Sequence, residues 1–129
     1  MTPLHVHHIA LWVGDLERMR AFYVGVLGGT SGSLYENQRT GFRSYFITFA
    51  GCRLELMWQP GRRENPLEDR GLGYAHVAMS AGSRAGVDAR IAEWRQAGVA
   101  VVSEPRVTGD GYYEAVIEDP EGNRIEIVG

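Results

Sequence analysis

The sequence predicts an α+β fold built from two copies of a βαβββ module, and three observations predict it. An apolar run with a histidine is followed later by a glutamate set between aliphatic residues, and both then recur. The first pair is His8-Ile9-Ala10-Leu11 with Leu54-Glu55-Leu56; the second is His76-Val77-Ala78-Met79 with Ile125-Glu126-Ile127. The spacings nearly match, 47 residues from His8 to Glu55 and 50 from His76 to Glu126. Each half also carries one apolar stripe at helical spacing. A repeat of roughly 60 residues implies duplication of one supersecondary unit, the copies sharing one sheet system. The expected layout is a single domain over 1–129, with module one at about 4–58, a linker at about 59–71 and module two at about 72–129.

The elements follow in order. Residues 5–13 are rich in β-formers (Val6, Ile9, Leu11, Trp12, Val13) and predict a strand. Asp15 is placed to cap a helix whose stripe is Leu16, Met19, Phe22, Tyr23, Val26 and Leu27. Gly28-Gly29 stops it. Strands are expected at 31–36, 43–50 and 52–58, with Ala50-Gly51 turning between the last two. The polar stretch 59–71, with two prolines, reads as a linker or surface loop. The second module begins with a strand at 73–80. A helix follows, capped by Ser83, with the stripe Val87, Ile91 and Trp94 and a stop at Gly98. Strands near 99–103, 112–118 and 123–128 complete it, and Asp119-Pro120-Glu121-Gly122 is a turn before the last.

Composition narrows the function classes. A net charge of -3 gives no general attraction to nucleic acid or an anionic membrane. No apolar run approaches the ~20 residues of a membrane span, and no signal-peptide pattern opens the chain. The single Cys52 forms no internal disulfide, so a reducing cytoplasm is the expected compartment. All thirteen basic residues are Arg, which excludes a Schiff-base lysine and a lysine general base.

Strand alternation turns the repeat into a candidate site. His8 shares its face with Ala10 and Trp12, and His76 with Ala78 and Ser80, so small residues leave room beside each imidazole. Glu55 and Glu126 point away from their aliphatic neighbours. Two imidazoles and two carboxylates without a thiolate suit one divalent ion, Ni, Zn, Co, Fe or Mn, and leave positions open for substrate oxygens. His5 and His7 alternate onto the opposite face and are expected at the surface or behind the ligands. Met57 and one of Tyr112 or Tyr113 (Tyr113 is selected) are expected as pocket walls.

These runs resemble the vicinal oxygen chelate superfamily, also called the glyoxalase/bleomycin resistance/dioxygenase superfamily, over essentially the whole chain. The resemblance is carried by His8-Ile-Ala-Leu-Trp-Val-Gly-Asp-Leu, Ala21-Phe-Tyr, Arg53-Leu-Glu-Leu, Gly73-Tyr-Ala-His-Val-Ala-Met-Ser and Glu118-Asp-Pro-Glu-Gly-Asn-Arg-Ile-Glu-Ile. It implies a cupped mixed sheet around a metal site with helices outside, often completed across a homodimer. The ligand set His8, Glu55, His76 and Glu126 is similar to that of the glyoxalase I type, the lactoylglutathione lyases. The implied reaction turns the hemithioacetal of methylglyoxal and a thiol such as glutathione into the S-lactoyl thioester. Glu126 is the implied base, with Glu55 its mirror-image counterpart.

Two positions depart from that pattern. Trp12 stands four residues beyond the first ligand, where bacterial members tend to have an Arg for a glutathione carboxylate. Gln59 stands four beyond the second, where an Asn is usual. Trp12 and Gln59 are therefore candidate substrate contacts. The alternatives on the same scaffold are an epimerase, whose second ligand is normally Gln, and an extradiol dioxygenase, which needs three ligands. A drug-binding resistance protein, lacking the ligands, is the alternative outside enzymes.

Overall fold

Each half of the chain pairs its first strand with its last. The computed structural model describes residues 1–63 and 72–129, so part of the expected linker, 64–71, lies outside the described residues. The chain divides into two compact units, Met1–Asn65 and Pro66–Gly129.

In the first unit the elements are β1 (Ile9–Trp12), α1 (Leu16–Gly25), β2 (Thr30–Ser31), β3 (Tyr35–Glu36), β4 (Arg43–Phe49) and β5 (Cys52–Trp58). The sheet runs β1-β5-β4-β2, with β3 also on β4. β1 lies parallel to β5 and the other pairings are antiparallel. Asp15 caps α1 by accepting from the Arg18 backbone N–H at 3.0 Å. Leu16, Met19, Phe22 and Tyr23 are buried from the helix, against Tyr45, Ile47, Leu54 and Leu56 from the sheet. Gly29 lets the chain leave the helix close over the sheet: a Cβ there would lie 2.4 Å from Ile47 Cγ2.

Two strand boundaries of the first unit differ from expectation, and in the second unit the strand expected from residue 73 begins at Val77. The first strand starts at Ile9, not at residue 5, and residues 1–8 are exposed. β-Forming side chains favour a strand only where a partner exists, and β1 finds its partner only along Leu54–Met57. The run at 31–36 splits in two. Pairing passes from Ser31↔Ile47 to Tyr35↔Ser44, four steps on one strand against three on the other, which is a bulge over Gly32-Ser33-Leu34.

The second unit repeats the order: β6 (Val77–Ser80), α2 (Arg84–Gln96), β7 (Ala100–Val107), β8 (Tyr113–Glu118) and β9 (Arg124–Val128), with the sheet running β6-β9-β8-β7. Ser83 caps α2 through the Gly86 N–H at 3.0 Å. Val87, Ile91 and Trp94 are its buried stripe, as expected, against Ala115, Ile117, Ile125 and Ile127. β7 runs past the expected end at 103 and through Pro105. It is an edge strand with two register shifts, where a missing N–H costs little. In the β8–β9 turn the buried Asp119 carboxylate accepts from the Glu121 and Asn123 backbone N–H groups and from Asn123 Nδ2, each at 2.9 Å.

The described residues thus form an α+β fold with two helices and two mixed sheets. Hydrogen bonding among the described residues forms one open sheet in each unit.

Candidate functional site

The parallel pairing brings each histidine to its glutamate. Ala10 is the cross-strand partner of Glu55, and Ala78 of Glu126, so each histidine stands two residues before its glutamate's partner. Leu54, Leu56, Ile125 and Ile127 are core, so Glu55 and Glu126 face away from the helix. Each histidine, one residue before its strand, meets its glutamate there. His8 Nε2 lies 3.7 Å from Glu55 Oε1, and His76 Nε2 lies 3.1 Å from Glu126 Oε2. Two ligands bonded at ~2.1 Å to one ion lie about 3.0 Å apart at a right angle and about 3.4 Å apart in a tetrahedron. The second pair falls within that range and the first is a few tenths of an ångström wider, and the donor types of both fit a divalent metal. Among the described residues these donors meet as two pairs, and no three His, Cys, Asp or Glu side chains come together closely enough to hold a metal ion.

The two pairs have different surroundings. His8 packs edge-on against Phe46 at 5.3 Å, and the Arg53 guanidinium covers the other part of that ring at 4.5 Å. His7 is not turned away from His8. The two rings share an Nδ1-to-Nδ1 hydrogen bond of 2.9 Å, and Arg53 Nη2 reaches His7 Nε2 at 3.3 Å. Strand alternation does not extend to residue 7, because the strand begins at Ile9. His5 is exposed.

In the second unit His76 and Glu126 line a hollow of about 430 Å³ with Asp110, Tyr112 and Glu114. Burial lifts the Glu114 carboxyl above the ordinary carboxylate range, and the hydrogen bond and charge of Glu126 raise it further. Glu114 and Asp110 are absent from the residues singled out by sequence. The signal for Glu114 lay in alternation along β8: Ala115 and Ile117 are core, so Glu114 and Val116 face Glu126.

The same parity corrects the choice of tyrosine. Tyr113 shares the face of Ala115 and Ile117, donates its hydroxyl to Asp88 Oδ1 on α2 at 2.5 Å and lies under Arg84. The structure does not bring it to the His76–Glu126 pair, whereas Tyr112 lines the hollow. In the first unit Trp12 and its cross-strand partner Met57 lie on the face of His8 and Glu55. Gln59 follows directly after β5 and is half-buried.

The model of the Glyoxalase/Bleomycin resistance protein/Dioxygenase superfamily matches residues 5–127. The chain belongs to this superfamily. A lactoylglutathione lyase of Salmonella typhimurium is 33% identical over 126 residues, covering 94% of this chain and 89% of that protein. A glyoxalase family protein from Enterococcus faecalis has the same fold, with a TM-score of 0.81, 21% identity and 97% of each chain covered. Glyoxalase I from Zea mays aligns with a TM-score of 0.80 at 22% identity, over 96% of this chain and 44% of that one. No helix among the described residues is long and apolar enough to cross a membrane.

Proposed function

We propose that this member of the superfamily is a metal-dependent lyase of glyoxalase type, converting the hemithioacetal of methylglyoxal and a thiol into the S-lactoyl thioester. One observation carries the reading: the same histidine–glutamate register occurs in both units, with imidazole and carboxylate 3.7 Å apart in the first and 3.1 Å apart in the second. The likeness to the Salmonella typhimurium lactoylglutathione lyase supports the choice of reaction and of a glutathione-type thiol.

His8, Glu55, His76 and Glu126 would hold one divalent ion among Ni, Zn, Co, Fe and Mn. When bound, that ion supplies positive charge for the oxygen that becomes negative as the proton leaves. The proton transfer belongs to the chain's own carboxylates. Glu126 takes the proton from the carbon bearing the hydroxyl and returns it to the adjacent carbon, acting first as base and then as acid, so no proton is consumed. Its setting suits that work, since the hollow it lines with His76 leaves room for a substrate beside its carboxylate. Glu55 occupies the matching register in the other unit and is the counterpart for the opposite face of the substrate. Trp12, Met57 and Gln59 beside the first pair, and Tyr112 beside the second, form the substrate's walls.

The test strips the protein with a chelator, adds each of the five metals, and measures bound metal and formation of the thioester from methylglyoxal and glutathione by its ultraviolet absorbance. The reading expects stoichiometric metal and activity that returns with it. Absence of stoichiometric metal, or no turnover with any of the five, overturns it.

A further inference from the structure

We propose that His7 is a positioning residue, holding the His8 ring so that Nε2 is presented beside Glu55. This role rests on the reading of His8 as a ligand of a divalent ion, and its geometry lies wholly within the first unit.

The two nitrogens of the His8 ring have different partners. Nε2 faces Glu55, 3.7 Å from Oε1, and Nδ1 meets Nδ1 of His7 at 2.9 Å. Turning the ring over would put carbon where Nε2 stands and lose the bond at Nδ1. A bond at one nitrogen thus selects the orientation of the other and which of them carries hydrogen. Bonded to an ion through Nε2, His8 keeps its hydrogen on Nδ1, and His7 Nδ1 is the acceptor placed for it.

Strand pairing does not hold these residues. β1 begins at Ile9, and residues 1–8 are exposed, so His7 and His8 precede the first ladder pair, Ile9↔Leu54. Side chains on the sheet beneath take over. Phe46 is the cross-strand partner of Glu55, and Arg53 stands two residues before Glu55, so all three share one face. Phe46 meets the His8 ring edge-on at 5.3 Å, and the Arg53 guanidinium lies over Phe46 at 4.5 Å. Arg53 Nη2 then reaches His7, 3.3 Å from Nε2 and 3.5 Å from Nδ1. His7 in turn stands edge-on to His8 at 5.2 Å and 74°. The contacts form a closed circuit from His8 through Phe46, Arg53 and His7 back to His8.

The repeat supplies the comparison that gives this circuit its purpose. Ala75 precedes His76 where His7 precedes His8, so the second module has no imidazole at that position. His76 Nε2 lies 3.1 Å from Glu126, within hydrogen-bond reach, and its own glutamate can hold it. The 3.7 Å from His8 to Glu55 is beyond that reach, so the first ring takes its orientation from His7. The extra histidine stands in the unit whose pair is the looser.

Zinc binding by the full chain, measured by competition with a chromogenic chelator, and nitrogen NMR of the histidine rings test the assignment. His7→Ala is expected to weaken zinc binding about tenfold, the low end for loss of such a partner, because residue 7 is open to water. His7→Asn keeps an amide oxygen near the place of Nδ1 and is expected to stay within about threefold of the wild type. In the zinc-loaded wild type and His7→Asn the His8 Nδ1–H signal is expected to be sheltered from exchange, and in His7→Ala to be lost. Unchanged zinc affinity in His7→Ala, or an equal loss in His7→Asn, overturns the positioning role and leaves the lyase reading standing. Binding weakened in His7→Ala and restored in His7→Asn, with no hemithioacetal turnover by the wild type, retires the reaction and keeps His7. A wild type that binds no zinc retires His8 as a ligand, and the role of His7 with it.

Discussion

The two units share a strand order, a parallel pairing of first strand with last, and a histidine–glutamate register, yet their exposed faces are chemically unlike. The first surrounds its pair with rings and guanidinium groups: Phe46 under Arg53, and Trp12 under Arg62. The second surrounds its pair with acids, Glu114 and Asp110, and with Tyr112. Duplication kept the donors in place because the register fixes them, and the neighbouring positions on the same face were free to diverge. The outcome is a cationic and aromatic face in one half and an acidic face in the other.

The sharpest way to break this comparison is to remove one oxygen's charge from each half. Glu126→Gln is expected to lower kcat about 10²–10⁴-fold, the range for loss of a general base. Glu55→Gln is expected to lower kcat less and metal retention more. Equal losses of kcat in steady-state assays would mean that the halves are interchangeable in proton transfer.

The cores should behave alike where the faces do not. Ile47 and Ile117 are both fully buried, each beneath its unit's helix. Replacing either by Ala is expected to cost about 2–5 kcal/mol, read by denaturant titration. A marked inequality would show that one unit carries more of the stability.

A smaller difference lies in how each sheet is tied to its helix. The Tyr45 hydroxyl donates to Glu17 on α1 at 2.6 Å, and that of Tyr113 to Asp88 on α2 at 2.5 Å. Both tyrosines titrate above their ordinary value of 10.0, in each case chiefly because the carboxylate accepts the hydroxyl proton. A raised value favours the protonated form in the folded state. The stability each contributes is therefore complete below the ordinary value and disappears as pH rises through the raised one. Tyr45→Phe is expected to cost about 1 kcal/mol near neutral pH and to flatten the alkaline fall in stability. Tyr113→Phe, at a half-buried position where Tyr45 is buried, should do less. A Tyr45→Phe protein as sensitive to alkali as the wild type would refute the assignment.

Much of this architecture is legible in the sequence where local signals are strong. Asp15 and Ser83 announce the helix starts, Gly28 and Gly98 their ends, and the stripe Val87, Ile91, Trp94 is the buried face of α2. The pairing of His8 with Glu55, and of His76 with Glu126, follows from the repeat. What was misread depended on partners. Residues 5–8 have strand-like composition, but composition does not reveal whether a neighbouring strand reaches that far, and the place of His7 changed with it. Tyr113 was chosen over Tyr112 although Ala115 and Ile117 already marked the core parity of β8. The contact of Trp12 with Arg62 joins residues 50 apart in sequence, one of them in a polar stretch read as linker, and no periodicity reports such a meeting.

The parallel register has one more consequence, for the lifetime of the donor pairs. In each unit the histidine precedes a strand of four residues that lies at the end of its sheet path and, among the described residues, holds to a single neighbouring strand. Peeling that strand away opens the pair while the helix and the antiparallel strands behind it stay folded. Such edge fraying lies at the low end of the opening free energies in a protein, well below global unfolding. Histidine release is therefore a local event with its own rate, and amide exchange at Ile9–Trp12 and Val77–Ser80 is the clock that would time it.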